Sequence, residues 1–306
     1  MRIRYTSFSR WKSQEYRSWQ FEIFKKYNKE LTHMLISFNA SQAYTYKHLT
    51  ASGATFGLNA DDYFTFKDSR HIGTFKTIKD WSDTHNELSS WIYLNALIAL
   101  TSNFELYLSS IIKLSLDSDP GVIFGASQSI DGAYIKKYGK KKIDYDRYVR
   151  PCVTGEWDKR RMNFEKTFDC EIPIIRKNIK QLEKLRQVRN DIAHAFGRNL
   201  RITKNHEKVE AYKLPKMTYK KLIKYQSMMF KIVEHLDNYL LKNHIGQYQL
   251  ILHYYNWKIK NRMTSKFNNT QIQFFSIQFR KDLGQYRKIA TQKKFAKDLV
   301  TYYENI

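Results

Sequence analysis

The amino-acid sequence predicts an all-α protein, and three observations carry that prediction. Glycine and proline number only 11 and 4 in 306 residues, too few for a turn-rich β architecture. Apolar residues recur at every third or fourth position through several long segments, the period of one helix face. Only residues 200–214 alternate loosely, and these suit one short hairpin.

Taken in order, residues 14–38 place Trp19, Phe21, Ile23, Phe24, Tyr27, Leu31 and Leu35 at helical spacing. From Asn39 to about Lys79, serine, threonine, glycine and aromatics mix without a period, which reads as loops with room for short strands. Residues 86–117 are apolar around most of a helical circumference, from Leu88 and Trp91 to Ile112 and Leu114. Such a helix belongs inside a bundle, and Asp119-Pro120-Gly121 stops it.

Residues 120–170 read as a long insertion rich in glycine, lysine and tyrosine. It contains KKYGKKK at 136–142, then Tyr145, Arg147, Tyr148 and Arg150, then Lys159-Arg160-Arg161. A second strong helix covers 173–196, with Pro173 in its first turn and Gly197 placed to end it. A third runs from about Thr218 to Lys242. Beyond it, residues 244–306 carry 11 Lys+Arg against 3 Asp+Glu, with helices expected at 247–261 and near 285–303.

The charge balance narrows the function. Fifty-three basic residues against 29 acidic ones give a formal charge of +24, which calls for a polyanionic partner, nucleic acid before an anionic membrane. Aromatics make up 15 % of the chain, and rings that are not in the core offer stacking surfaces for single-stranded RNA. Two cysteines, Cys152 and Cys170, are too few for a disulfide scaffold or a zinc site. The first 13 residues are polar and basic, unlike a secretory signal. The apolar run Trp91–Leu100 is too short to span a bilayer. A cytoplasmic protein without membrane association or cofactor is expected.

Chemistry concentrates in Arg189-Asn190-Asp191-Ile192-Ala193-His194, at the end of the second strong helix. Asn190 and His194, four apart, share a helix face. Arg189 and His194, five apart, are separated by about 140°, so one helix does not bring their tips together. Two copies packed near-antiparallel across a two-fold axis would gather both sets in one cationic cleft. Arginine grips a phosphate by charge-assisted hydrogen bonds, and histidine carries protons near neutral pH.

This run resembles the Arg-x(4–6)-His motif of the HEPN superfamily, including asparagine directly after the arginine. The apolar helix upstream, with Asn103-Phe104-Glu105-Leu106-Tyr107-Leu108, resembles the HEPN helix that carries an acidic residue. The similarity covers roughly residues 85–242. It implies a HEPN-like helical bundle at 85–243, interrupted by the basic insertion at 120–170. An N-terminal extension at 1–84 and a basic helical segment at 244–306 would flank it.

It further implies metal-independent RNA cleavage by a homodimer, as in bacterial toxins and antiphage or abortive-infection effectors, with an antitoxin or other defence protein as a partner. Carried over residue by residue, His194 is the general acid or base and Arg189 binds the scissile phosphate. Asn190 orients the phosphate or His194. Asp191 and Glu105 support, Glu105 by holding Arg189 or Arg186. Lys140, Lys141, Lys142 and Arg186 are expected to contact RNA. The alternatives are a HEPN module without catalysis that binds RNA, nucleotide or a partner, and an unrelated basic scaffold. The other eight histidines show no ligand spacing, and Asp61-Asp62 and Asp144/Asp146 lack the partners of a two-metal nuclease. Gly53, Gly57 and Gly73 form no phosphate loop.

Overall fold

The protein is all-α. The computed structural model describes residues 8–139, 143–195, 215–287 and 292–306, with residues 193–195 and 287 described by backbone alone. Among them are ten α-helices and no strand. In chain order these are α1 (Trp19–Ala51), α2 (Ile78–Ser118), α3 (Gly132–Tyr138), α4 (Asp146–Val153), α5 (Trp157–Phe168), α6 (Pro173–Ala195), α7 (Tyr219–Leu240), α8 (Tyr248–Lys260), α9 (Asn269–Arg287) and α10 (Lys293–Asn305). The hairpin expected at 200–214 and the terminating Gly197 lie outside the described residues. The chain forms two compact units, each assembled from separate stretches of sequence.

One unit comprises residues 23–105 and 180–231. Its frame is α1 against α2, antiparallel. Asn103 donates to the Phe24 carbonyl, Tyr93 to Asn39, Gln42 to Ser89, and Tyr46 shares a hydrogen bond with Ser82. The α7 stretch completes the frame, with the Met217 amide just ahead of it on Ser90 and Gln226 on Thr32. Leu94, Leu97, Leu100 and Phe104 of α2 form the core with Phe24, Leu182, Leu185 and Met229.

The loop expected from Asn39 is helix as far as Ala51. Its polar residues do not break the helix because Ser41, Thr45 and Thr50 turn their hydroxyls back to the carbonyls four residues earlier. The inward side chains, Asn39, Gln42 and Tyr46, find partners on α2. Termination waits for the first glycine, Gly53, at φ +75°. α2 likewise begins eight residues ahead of the predicted position 86, at Ile78. A capping box starts it: Thr77 Oγ1 accepts from the Asp80 amide at 3.2 Å, and Asp80 Oδ2 accepts from the Thr77 amide at 3.1 Å. The Trp91–Leu100 run is thus the middle of a 41-residue helix. By length and composition alone this helix is long and apolar enough to cross a bilayer, and half of its most apolar stretch is buried inside the protein.

The other unit comprises residues 1–22, 106–179 and 232–306. The stretch read as an insertion contributes three helices to it, α3 to α5. Each is short and anchored by a few residues, Val149 and Cys152 on α4, Trp157, Phe164 and Phe168 on α5, so no long period announced them. Its basic residues are partly structural. Arg160 is buried, lies over the Trp157 ring and donates to the Gly155 carbonyl. Arg161 pairs with Asp158 and Glu165.

The C-terminal segment holds α8, α9 and α10 in place of the two helices predicted. It belongs to the core: Phe279, Leu299 and Val300 are fully buried. Lys258 of α8 donates to buried Glu304 of α10 at 2.7 Å, while Tyr254 and the Phe267 amide bond the same carboxylate. The described residues of 264–306 are therefore part of this unit's core.

Buried Asp237 on α7 accepts from the Ser18 amide, the Ser18 hydroxyl and the Tyr107 hydroxyl, and Ser18 in turn caps α1 through the Phe21 amide. Burial raises the Asp237 pKa above 3.8. The folded state therefore holds this proton where the unfolded chain has lost it, and the stability Asp237 confers falls as pH rises from about 4 through the folded pKa. Asp237→Asn cannot titrate. The wild-type stability measured against that variant by urea unfolding should be greatest in acid and decline to a plateau with rising pH. A difference that grows with pH would contradict the assignment. Asp237→Ala, which strands the two buried Ser18 donors, should cost about 3 kcal/mol.

Candidate functional site

α6 is amphipathic, and that fixes where its chemistry points. Leu182, Leu185 and Ile192 are buried, which leaves Arg186, Arg189 and Asn190 at the half-buried margin and Asp191 exposed. Glu105 reaches the same margin from α2, directly after buried Phe104.

The Arg189 guanidinium lies between two oxygens. Its Nη2 is 3.6 Å from Glu105 Oε2, with 37 % and 29 % of the two side chains exposed, and its Nη1 donates to Asn190 Oδ1 at 3.2 Å. A guanidinium has five N–H donors in a fixed fork, so these contacts orient it and leave donors over for an anion. Arg186 pairs along its own helix with Glu183, Nε to Oε1 at 2.9 Å. Asp191 forms no ion pair with any described residue. His194 lies in the last turn of α6 by its backbone, and its side chain is outside the described residues, as are Lys140, Lys141 and Lys142. The structure thus brings together Glu105, Arg189 and Asn190 of the residues singled out by the sequence. Among the described residues no group of three or more His, Cys, Asp or Glu is arranged to hold a metal ion.

Two histidines set aside for lack of spacing do have carboxylate partners. His244 Nδ1 is 3.0 Å from Asp119 Oδ2, and Ser127 donates to the same oxygen at 2.6 Å. The second Asp119 oxygen accepts from the Gln128 amide. His253 Nε2 is 3.0 Å from Asp282. The pairs are 125 and 29 residues apart in sequence, beyond any spacing rule. The first joins the end of α2 to the π-helical turn Leu241–Ile245 that follows α7. Both lie in the unit that does not contain Arg189.

The Glu105–Arg189 pair is about one-third exposed, so solvent screens it and it adds little to stability. Glu105→Ala should shift the urea-unfolding free energy by less than about 1 kcal/mol. A loss of several kcal/mol would make this carboxylate a structural group. Comparison with protein-family models, curated proteins and solved structures finds no match for this chain.

Proposed function

We propose that this chain is a metal-independent endoribonuclease of the HEPN type, active as a homodimer. The observation that carries the reading is the Arg189 guanidinium, held by Glu105 and Asn190 one helical turn ahead of His194 at the end of α6. An oriented arginine to hold the phosphate and a histidine to move protons are the equipment for in-line attack of a ribose 2′-OH on its own phosphate. The new O–P bond forms as the P–O5′ bond breaks, giving a 2′,3′-cyclic phosphate and a 5′-OH. The base removes the 2′-OH proton and the acid supplies one to the leaving 5′ oxygen. Two copies of His194, one from each protomer, divide those tasks, and Arg189 stabilises the charge on the phosphate oxygens. The angular gap of about 140° between Arg189 and His194 on one helix is the reason for two copies. In a cell, such an enzyme would act in the cytoplasm as a toxin or antiphage effector, restrained by an antitoxin.

Cleavage of labelled RNA should survive EDTA and fail on DNA and on RNA with a 2′-O-methyl at the cut. His194→Ala should lower the rate roughly 10²–10⁴-fold. Arg189→Ala should remove a charged hydrogen bond worth about 1.5–3 kcal/mol, or more where the contact tightens in the transition state. Magnesium-dependent activity, equal cleavage of DNA, or full activity in His194→Ala would overturn the proposal. Light scattering should find a dimer, and a strict monomer that cleaves RNA would refute the shared site.

A further inference from the structure

α1 is a 33-residue helix whose outer face is unusual for solvent. It holds four lysines, Lys25, Lys26, Lys29 and Lys47, against two acids, Glu22 and Glu30. Tyr27 and Tyr44 are 50 % and 72 % exposed, although a tyrosine loses apolar contact in that position for no structural return. Each exposed ring stands with cations. Lys26 and Lys29 flank Tyr27, and Lys47 and His48 follow Tyr44, whose ring is parallel to that of His48 within 8°. At 100° per residue these six side chains fall within one arc of about 160°. All six are exposed, and none of the three lysines forms an ion pair among the described residues. From Lys26 to His48 the face runs about 33 Å at 1.5 Å per residue.

We propose that this face of α1 binds single-stranded RNA, with Tyr27 and Tyr44 as stacking platforms and Lys26, Lys29 and Lys47 on the phosphates. The inference rests on the RNA reading above and adds to it the surface that captures the strand. Its parts match what an unpaired strand presents. Base faces stack on rings without regard to sequence, and phosphates pair with lysines as point charges. Duplex RNA hides its base faces, so the tyrosines contribute only on a single strand. The α1 stretch from Ile23 belongs to the same compact unit as Glu105 and Arg189, so a strand held on α1 is held by the body that carries the cleavage site.

The test uses the full chain and a short fluorescent 2′-O-methyl oligouridine, which binds without being cut, so binding is read independently of nuclease activity. Tyr27→Ala with Tyr44→Ala should weaken binding about tenfold or more and leave its salt dependence unchanged. Tyr27→Phe with Tyr44→Phe, which keeps the rings, should bind as wild type. Changing Lys26, Lys29 and Lys47 to Gln should weaken binding at low salt and flatten the log–log salt slope by about 2. A duplex of the same length should be insensitive to the tyrosine changes. Unchanged affinity in the alanine and glutamine variants overturns the proposal, as does equal loss on the duplex. Altered sedimentation of the tyrosine-to-alanine variant with RNA affinity intact also overturns it, because the face would then be a protein interface. If the wild type cleaves no RNA while these variants still lose binding, the nuclease reading falls and the surface stands.

Discussion

The ends of helices leave carbonyls without partners, and in the unit that contains both chain ends a single guanidinium answers that need. Arg10, only 5 % exposed, donates to the Ser118 carbonyl and hydroxyl at the end of α2 and to the Ile245 carbonyl at the end of the π-helical turn. Its Nε pairs with Asp131, which caps α3, and its plane lies over Trp11 and Tyr248. Gly246 lets the Arg10 backbone approach: a Cβ there would sit 2.3 Å from the Arg10 carbonyl oxygen, and its φ is +54°. With both helix ends fixed on one group, α2 and α7 keep a set register, seen where Tyr107 donates to the Val233 carbonyl and to Asp237. A lysine at position 10 would offer a point charge where a fork is needed.

The long helices were legible because burial wrote a period into them. α6, α7 and the end of α2 were read near their observed limits, since Leu97, Ile111, Leu182 and Ile232 recur on inward faces. The second half of α1 was not, because apart from Leu49 its inward residues include Asn39, Gln42 and Tyr46, polar groups whose partners lie on α2. The start of α2 did carry a local sign, Thr77 followed three residues on by Asp80. Helices α3 to α5 and α9 depend on a few anchors and on chain segments far away, which no local window contains.

At the candidate site, the sequence pointed to Glu105 and to Arg189-Asn190, and these three side chains meet. What it did not reveal is the division of labour among the arginines. Arg186 and Arg189 are one turn apart, yet Arg186 is engaged by Glu183 within α6 and Arg189 by Glu105 of α2. The cross-helix contact of Arg189 is a matter of helix packing, which no local window contains. Cross-helix anchoring suits a phosphate ligand because it limits the rotamers the side chain must give up on binding.

The buried charges have one more consequence. Among the described residues three cations are buried, Arg10, Arg160 and Lys258, and three carboxylates, Asp119, Asp237 and Glu304. Among the described residues burial therefore withdraws both signs equally and does nothing to reduce the formal excess of +24. Like charges at that density repel, and dissolved anions must gather round them. Within a screening length of about 8 Å at physiological ionic strength, that cloud of small anions is as much a part of the folded state as the helices it surrounds. A polyanion that displaces the cloud sets those ions free.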